Sequence, residues 1–276
     1  SFKELPIMSD KKKGSLLFYP YISKKSAQNI KRILSTRWIG QGPMVDKFEN
    51  KFQKVFAKKN FALATGSGTD SLHLAYLLAG IKKGDEVITT VFTCTATNIP
   101  LLYIGAKIKF ADIDPRTMNI SIPSVKKLIS KKTKAIVCVH YGGLPCEMDE
   151  LKKLSKKYKI PIIEDAAHAM GARYKGKTIG SISDFTTFSF QAIKHFTTGD
   201  GGMLTIKDKN LLKKGKRLRW FGIDREGKQN GTWENDVYET GYKYQMTDIA
   251  ATLGFDSLLE FNKILIHRRK IFNVYL

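Results

Sequence analysis

A lysine at position 194 lies within an apolar and aromatic stretch that also contains Ser189, and a turn rich in threonine and glycine follows at residues 197–202. Partial burial of such a lysine favours the neutral amine, which can attack a carbonyl carbon and form an imine. The chain has 47 lysine and arginine residues. An exposed, chemically inert side chain is therefore the alternative for Lys194 taken alone.

Two acids, Glu164 and Asp165, follow an apolar segment and are themselves followed by small residues and His168. A carboxylate at the end of a buried strand is costly unless it is paired, so a cationic partner is predicted. A protonated pyridine nitrogen and a structural arginine both satisfy this requirement.

A turn of glycine, serine and threonine covers residues 65–70 and includes Ser67, Gly68 and Thr69. It separates a predicted strand from a predicted helix, where free backbone N–H groups and the helix dipole favour a bound phosphate. The turn matches neither the nucleotide-triphosphate nor the dinucleotide fingerprint. An ordinary helix cap is the alternative function for these residues.

Alternating strands and helices are predicted to position these three segments. Val45, Phe48, Phe52 and Phe56 recur at helical spacing, which predicts a helix after an earlier one at 26–35. Strands are predicted at 61–64, 86–90, 107–110, 135–139 and 161–163, with helices at 70–78 and 151–158. The alternation indicates an α/β fold with a mostly parallel sheet flanked by helices, in which ligands bind at the carboxyl ends of the strands.

The composition, with 42% hydrophobic residues, allows a large core. The sequence shows neither a long apolar run nor a secretory signal, so we expect a cytoplasmic protein without a membrane span. Cys94, Cys138 and Cys146 lack the spacing of metal ligands, so neither a zinc site nor a disulfide framework is expected.

The formal net charge of +22 is compatible with nucleic-acid binding. The basic residues are mostly lysines dispersed in short runs such as 11–13 and 131–132, without a recognition motif. We therefore expect solvated basic faces and no nucleic-acid partner, although a local basic patch also suits a sugar diphosphate.

Taken together with Gly241–Asp248, these segments resemble the DegT/DnrJ/EryC1/StrS family of sugar aminotransferases over residues 38–259. The resemblance implies a fold type I, pyridoxal 5'-phosphate (PLP)-dependent transferase. It implies that Lys194 forms a Schiff base with PLP and shuttles a proton, that Asp165 pairs with the pyridinium nitrogen, and that His168 lies near the phenolic oxygen. The implied phosphate-binding residues are Gly68, Thr69 and Ser189, and Ser67 of the same turn can add a hydroxyl donor.

Two positions depart from the family pattern. Cys94 stands where many members have an aromatic side chain that stacks on the cofactor, so stacking must be weaker or supplied by another residue. Lys243 replaces an asparagine that reaches the phosphate of the neighbouring subunit in many members.

Substrate contacts are predicted for Trp38 and Gly40, in a loop that resembles the family's loop near the sugar, and for His195.

The resemblance implies transfer of an amino group from L-glutamate to a nucleotide-linked keto-sugar, giving an amino sugar for a surface polysaccharide. Residues 219–225 and Lys243 are most similar to perosamine synthase-like members, which act at C4 of 4-keto-6-deoxy sugars. Alternatives are the family's dehydratase branch, which has histidine in place of the reactive lysine, and a non-catalytic regulatory or nucleic-acid-binding protein that keeps the fold.

The resemblance also suggests a domain organisation. Residues 1–25 are a predicted lead-in, 26–262 a large PLP-binding domain, and 263–276 the start of a small C-terminal domain that is largely absent. Family active sites lie between subunits, so a homodimer with shared active sites is expected.

Overall fold

A computed structural model describes residues 20–225, 227 and 237–275, so most of the predicted lead-in at 1–25 lies outside the described residues. Its centre is a seven-stranded sheet with the order β1-β9-β8-β5-β4-β2-β3. Strand β9 runs antiparallel to both neighbours, whereas β8, β5, β4, β2 and β3 are mutually parallel. The predicted α/β class with a mostly parallel sheet is confirmed.

The strands of this sheet are β1 Phe61–Thr65, β2 Glu86–Thr89, β3 Lys107–Phe110, β4 Thr133–Val139, β5 Ile162–Asp165, β8 Phe185–Ser189 and β9 Gly202–Ile206. A two-stranded ribbon consists of β6 Arg173–Tyr174 and β7 Lys177–Thr178. The helices are α1 Ser26–Thr36, α2 Pro43–Phe52, α3 Gly68–Leu78, α4 Thr95–Ile104, α5 Ile122–Leu128, α6 Met148–Tyr158, α7 Lys209–Leu218, α8 Asp248–Leu259 and α9 Phe261–Val274.

Side chains of the central strands alternate between two hydrophobic clusters, as the two-residue period of a strand requires. Along β4, Ile136 and Cys138 belong to one cluster, whereas Ala135 and Val137 belong to the other. Burial on both faces explains why this strand reads as a continuous apolar run in the sequence. The sheet is thereby held rigidly between two layers of helices.

Helix α2 departs from the prediction of one regular helix through Phe56. The α-helix ends at Phe52 and continues as a π-helical turn over Gln53–Ala57, closed by the Lys58 N–H donating to the Gln53 carbonyl. Phe56 is buried and its ring lies 5.2 Å from that of Phe261. Apolar spacing reports which face is buried and does not reveal this change in hydrogen bonding.

Strand β5 also differs from its prediction. It includes Glu164 and Asp165 rather than ending before them, and the pairing of Asp165 with Thr187 of β8 extends it to the second acid. The acids therefore project from the sheet itself. Strands β8 and β9 were missing from the sequence prediction, although β8 ends shortly before Lys194 and β9 begins shortly after it.

Among the helices of the described ranges, none combines the length and apolar character needed to cross a membrane. The predicted domain boundary at residue 262 falls inside α9, which runs continuously from Phe261 to Val274.

Candidate active site

A cavity of about 350 Å³ lies where β4, β5 and β8 end and α3 begins. It brings together residues that are far apart in the chain, as expected for the carboxyl edge of a parallel sheet. Eight of the predicted site residues line it: Ser67, Gly68, Thr69, Cys94, Asp165, His168, Ser189 and Lys194.

One end of the cavity combines the N-terminus of α3 with Ser189. Ser67 caps the helix by accepting a hydrogen bond from the Asp70 N–H at 3.0 Å. Gly68 and Thr69 occupy the first turn, where an α-helix provides no acceptor for the backbone N–H groups. A Cβ on Gly68 would lie 2.8 Å from Ser189 Cβ, so only glycine allows this approach. The resulting set of N–H and hydroxyl donors suits a phosphate.

At the other end, Asp165 is buried, with a relative exposure of 5%. Its carboxylate accepts hydrogen bonds from the Thr97 hydroxyl at 2.7 Å and the Ala167 N–H at 3.0 Å. In the part of the chain that the structure describes, no basic side chain forms an ion pair with Asp165. A buried carboxylate in this state suits a cationic ligand.

Glu164, by contrast, has its partners within the protein. His140 Nε2 lies 2.7 Å from the Glu164 carboxylate, which also accepts from the Ser183 N–H and the Thr186 hydroxyl. The partner of Glu164 within the protein is thus a histidine, whose Nε2–H donates to the carboxylate while its Nδ1 accepts from the Cys146 N–H.

Lys194 is half-buried in the cavity wall. Its backbone N–H donates to the Gln191 carbonyl at 2.9 Å, and its own carbonyl accepts from Arg268 Nη2 of α9 at 3.1 Å. These contacts fix the backbone of a segment that has no regular secondary structure. Within the described ranges, the Lys194 amine has no hydrogen-bond acceptor or ion-pair partner.

The two histidines near Lys194 are both held neutral at pH 7. Burial is the main cause that lowers the pKa of His168, and the nearby charge of Lys194 lowers it further. Burial is also the main cause that lowers the pKa of His195 to about 4, with a smaller contribution from the charge of Arg268. A neutral His168 in the cavity wall can donate one hydrogen bond and accept another.

Other residues of the cavity were missing from the sequence prediction. Tyr141 follows β4, and its ring lies 4.6 Å from that of Phe92 and 6.2 Å from that of His168. It supplies an aromatic side chain to a cavity in which Cys94 replaces the family's aromatic residue. Thr93, Gln191 and Asp200 also line the cavity. Inspection of the residues after each strand would have found Tyr141.

Four predicted residues do not line this cavity: Trp38, Gly40, His195 and Lys243. Trp38 is 52% exposed and its indole N–H donates to the Gln41 carbonyl at 3.1 Å. The Gly40 carbonyl accepts from the Asp248 N–H at 2.7 Å. Lys243 Nζ lies 3.7 Å from the centre of the Trp220 ring, in a cation–π contact.

The cysteine spacing did not indicate that Cys138 and Cys146 would meet. The structure places both sulfurs and one nitrogen of His140 within 4.8 Å of one another, in a fully buried cluster. His140 Nδ1 accepts from the Cys146 N–H, and the Cys146 thiol donates to the Val139 carbonyl. These bonds satisfy the buried polar groups of His140 and Cys146 without a further ligand.

Comparison with known proteins identifies similar sequences and structures. The chain is 38% identical to the spore coat polysaccharide biosynthesis protein SpsC of Bacillus subtilis over 93% of this chain and 67% of SpsC. It is 36% identical to GDP-perosamine synthase of Escherichia coli O157:H7, over 94% of this chain and 70% of that enzyme.

Among solved structures, the PLP form of the putative sugar aminotransferase Spr1654 from Streptococcus pneumoniae superposes with a TM-score of 0.87 at 30% identity. The superposition covers 95% of this chain and 71% of Spr1654. The chain thus spans roughly two thirds of the length of these relatives. A sequence profile of the DegT/DnrJ/EryC1/StrS aminotransferase family matches residues 20–276. The chain therefore belongs to this family of PLP-dependent sugar aminotransferases.

Proposed function

We propose that this protein transfers an amino group from L-glutamate to a nucleotide-linked keto-sugar, with PLP bound in the cavity and Lys194 as its covalent anchor. The observation that carries the proposal is one cavity lined by a lysine amine, a buried carboxylate and the N-terminus of a helix, where neither the amine nor the carboxylate has an ion-pair partner among the described residues. Each suits a different part of PLP: the aldehyde, the ring nitrogen and the phosphate.

The residues at each end of the cavity fit the charges of PLP. The first-turn N–H groups of Gly68 and Thr69, with the hydroxyls of Ser67 and Ser189, would hold the phosphate. Asp165 would hold the protonated ring nitrogen, which provides the cation that the described residues do not supply. When bound, PLP supplies an electron sink that stabilises negative charge on the substrate carbon.

The side chains of this cavity have distinct roles in the proposed reaction. The negative charge of Asp165 would keep the ring nitrogen protonated, which would keep electron withdrawal strong. The Lys194 amine would carry the proton between carbon atoms of the substrate and cofactor. Neutral His168 would contact the phenolic oxygen, and Tyr141 would cover part of the cavity wall against water.

For the sugar we propose a 4-keto-6-deoxy hexose linked to a nucleoside diphosphate, aminated at C4. Similarity to GDP-perosamine synthase supports this choice, as does the sequence of residues 219–225 with Lys243. Arg225 donates to the Gln41 carbonyl, so this segment lies against the loop of Trp38 and Gly40 that we expect near the sugar. An amino sugar for a surface polysaccharide is the proposed product.

We further propose a homodimer with shared active sites. The segment just before and within α4 exposes several large apolar side chains, including Val91 at 67%, Leu102 at 57% and Tyr103 at 66%. Lys243 lies outside the cavity of its own chain, which is compatible with a contact to the cofactor phosphate of the partner. Light scattering coupled to gel filtration tests this: the expected mass is twice that of one chain, and a monomer that retains activity contradicts shared sites.

The test of function is an assay of the purified chain with PLP, L-glutamate and a panel of nucleotide-linked keto-sugars. Mass spectrometry should detect an amino sugar together with 2-oxoglutarate, and 4-keto-6-deoxy sugars should be preferred over 3-keto sugars. Loss of water from the sugar without nitrogen incorporation would favour the dehydratase reaction. PLP binding without any reaction of glutamate would contradict the proposed transaminase.

A further inference from the structure

A chain of two threonine hydroxyls joins the wall of the cavity to Asp165. Thr97, in the first turn of α4, is fully buried and donates to Asp165 Oδ2 at 2.7 Å. Thr93 Oγ1 lies 2.7 Å from Thr97 Oγ1, and Thr93 itself lines the cavity. Neither threonine was among the predicted site residues.

The hydroxyl protons of Thr93 and Thr97 can take only one arrangement when Asp165 is ionised. An ionised carboxylate can only accept hydrogen bonds, and each threonine hydroxyl has a single proton to donate. Thr97 gives its proton to Asp165, so the Thr97 oxygen must accept from Thr93. Both bonds therefore point toward the carboxylate and fix its direction.

The position of Thr97 is fixed independently of these hydroxyl contacts. Its backbone carbonyl accepts from the Tyr76 hydroxyl at 2.7 Å, and Tyr76 is a fully buried residue of α3. A β-branched side chain has few accessible rotamers, so a fixed backbone also fixes the direction of the hydroxyl. The Ala167 N–H holds the other carboxylate oxygen, Oδ1, at 3.0 Å. Asp165 is thus held at both oxygens.

We propose that Thr97, supported by Thr93, is a positioning residue that holds the Asp165 carboxylate oriented toward the ring nitrogen of PLP. This inference rests on the proposed function of the cavity. It assigns to the start of α4 a role in tuning the cofactor, in addition to packing against α3. The Thr97 hydroxyl at Oδ2 and the Ala167 N–H at Oδ1 together leave no oxygen of Asp165 free to turn away from the cavity.

The test compares Thr97→Val, which keeps the shape and removes the hydroxyl, with Thr97→Ser, which keeps the hydroxyl and removes a methyl group. For each variant, the PLP dissociation constant, the visible absorbance spectrum and the kcat and KM for glutamate are measured, with the Tm as a control for folding. In Thr97→Val we expect about ten-fold weaker PLP binding and about ten-fold lower kcat, with KM changed less. Thr97→Ser should stay within about three-fold of the wild type.

Thr93→Val provides a second variant at a half-buried position, where the fold is less sensitive. Because it removes only the donor to Thr97, it should weaken PLP binding about two- to three-fold. Wild-type affinity and kcat in Thr97→Val would overturn the positioning role while leaving the proposed function intact. Equal losses in Thr97→Ser and Thr97→Val would also overturn it, since packing of the methyl group would then explain both. A wild-type protein that binds no PLP would instead overturn the proposed function together with this inference.

Discussion

Gly68 at the start of α3 packs directly against the side chain of Ser189 at the end of β8, so that a methyl group on Gly68 would lie 2.8 Å from Ser189 Cβ. This contact brings the backbone N–H groups of a helix and a strand-end hydroxyl to the same side of the cavity. It depends on a residue without a side chain at position 68. The proposed phosphate site is therefore sensitive to the smallest possible substitution.

Gly68→Ala should weaken PLP binding by about ten-fold or more, because the added methyl forces Ser189 and the first turn of α3 apart. The dissociation constant from an absorbance titration checks this. Gly40→Ala is the matched control, since its Cβ would meet no atom within 4 Å, and its affinity for PLP should not change. Unaltered PLP binding by Gly68→Ala would show that the phosphate lies elsewhere.

Asp165→Asn should lower kcat for the reaction with glutamate at least about 100-fold, because a neutral amide no longer keeps the ring nitrogen protonated. The substitution preserves the shape of the side chain, so the fold should persist. Asp184→Asn, at a partly exposed acid that pairs with Lys207, is the control for the loss of one negative charge. Stopped-flow absorbance of the glutamate reaction measures the effect, and equal rates in the two variants would refute the assigned role of Asp165.

Acid should destabilise the protein partly through His195. Its pKa is lowered to about 4 by burial, against 6.5 in the unfolded chain. Between these values the unfolded state binds the extra proton, so stability falls as the pH drops from 7 to 4.5, by up to about 2.5 kcal/mol from this residue. Urea unfolding at both pH values should show a smaller decrease in His195→Gln. The same decrease in both proteins would mean that His195 titrates normally when folded.

The sequence predicted the parts of the site that carry reactive groups, but it predicted the supporting contacts less well. Asp165 and Lys194 were singled out by unusual residues at the ends of apolar segments, and the resemblance gave them roles. Thr97 shows the limit of such reasoning, because a threonine in a helix has no distinctive pattern until the fold places it beside a residue 68 positions away. Contacts of this kind depend on strand order, which local periodicity does not encode.

The strands of the fold were also predicted unevenly from the sequence. The strand Lys107–Phe110 was predicted at its observed bounds, whereas β8 and β9 were missed. Phe185–Ser189 mixes threonine and phenylalanine on both faces, and Gly202–Ile206 starts with glycine, so neither shows a clear alternation. Both strands are stabilised by their neighbours in the sheet, and β9 is paired along its whole length on both sides.

Lys194 is the residue to which we propose that PLP binds covalently. Sodium borohydride makes the bond between a lysine amine and PLP permanent, and mass spectrometry of the digested protein then identifies the modified peptide. We expect one PLP per chain on the peptide that contains Lys194, no such adduct in Lys194→Ala, and an unchanged adduct in Lys152→Ala, at an exposed lysine of α6. Modification of another lysine, or equal labelling of Lys194→Ala, would show that Lys194 is not the residue that binds PLP.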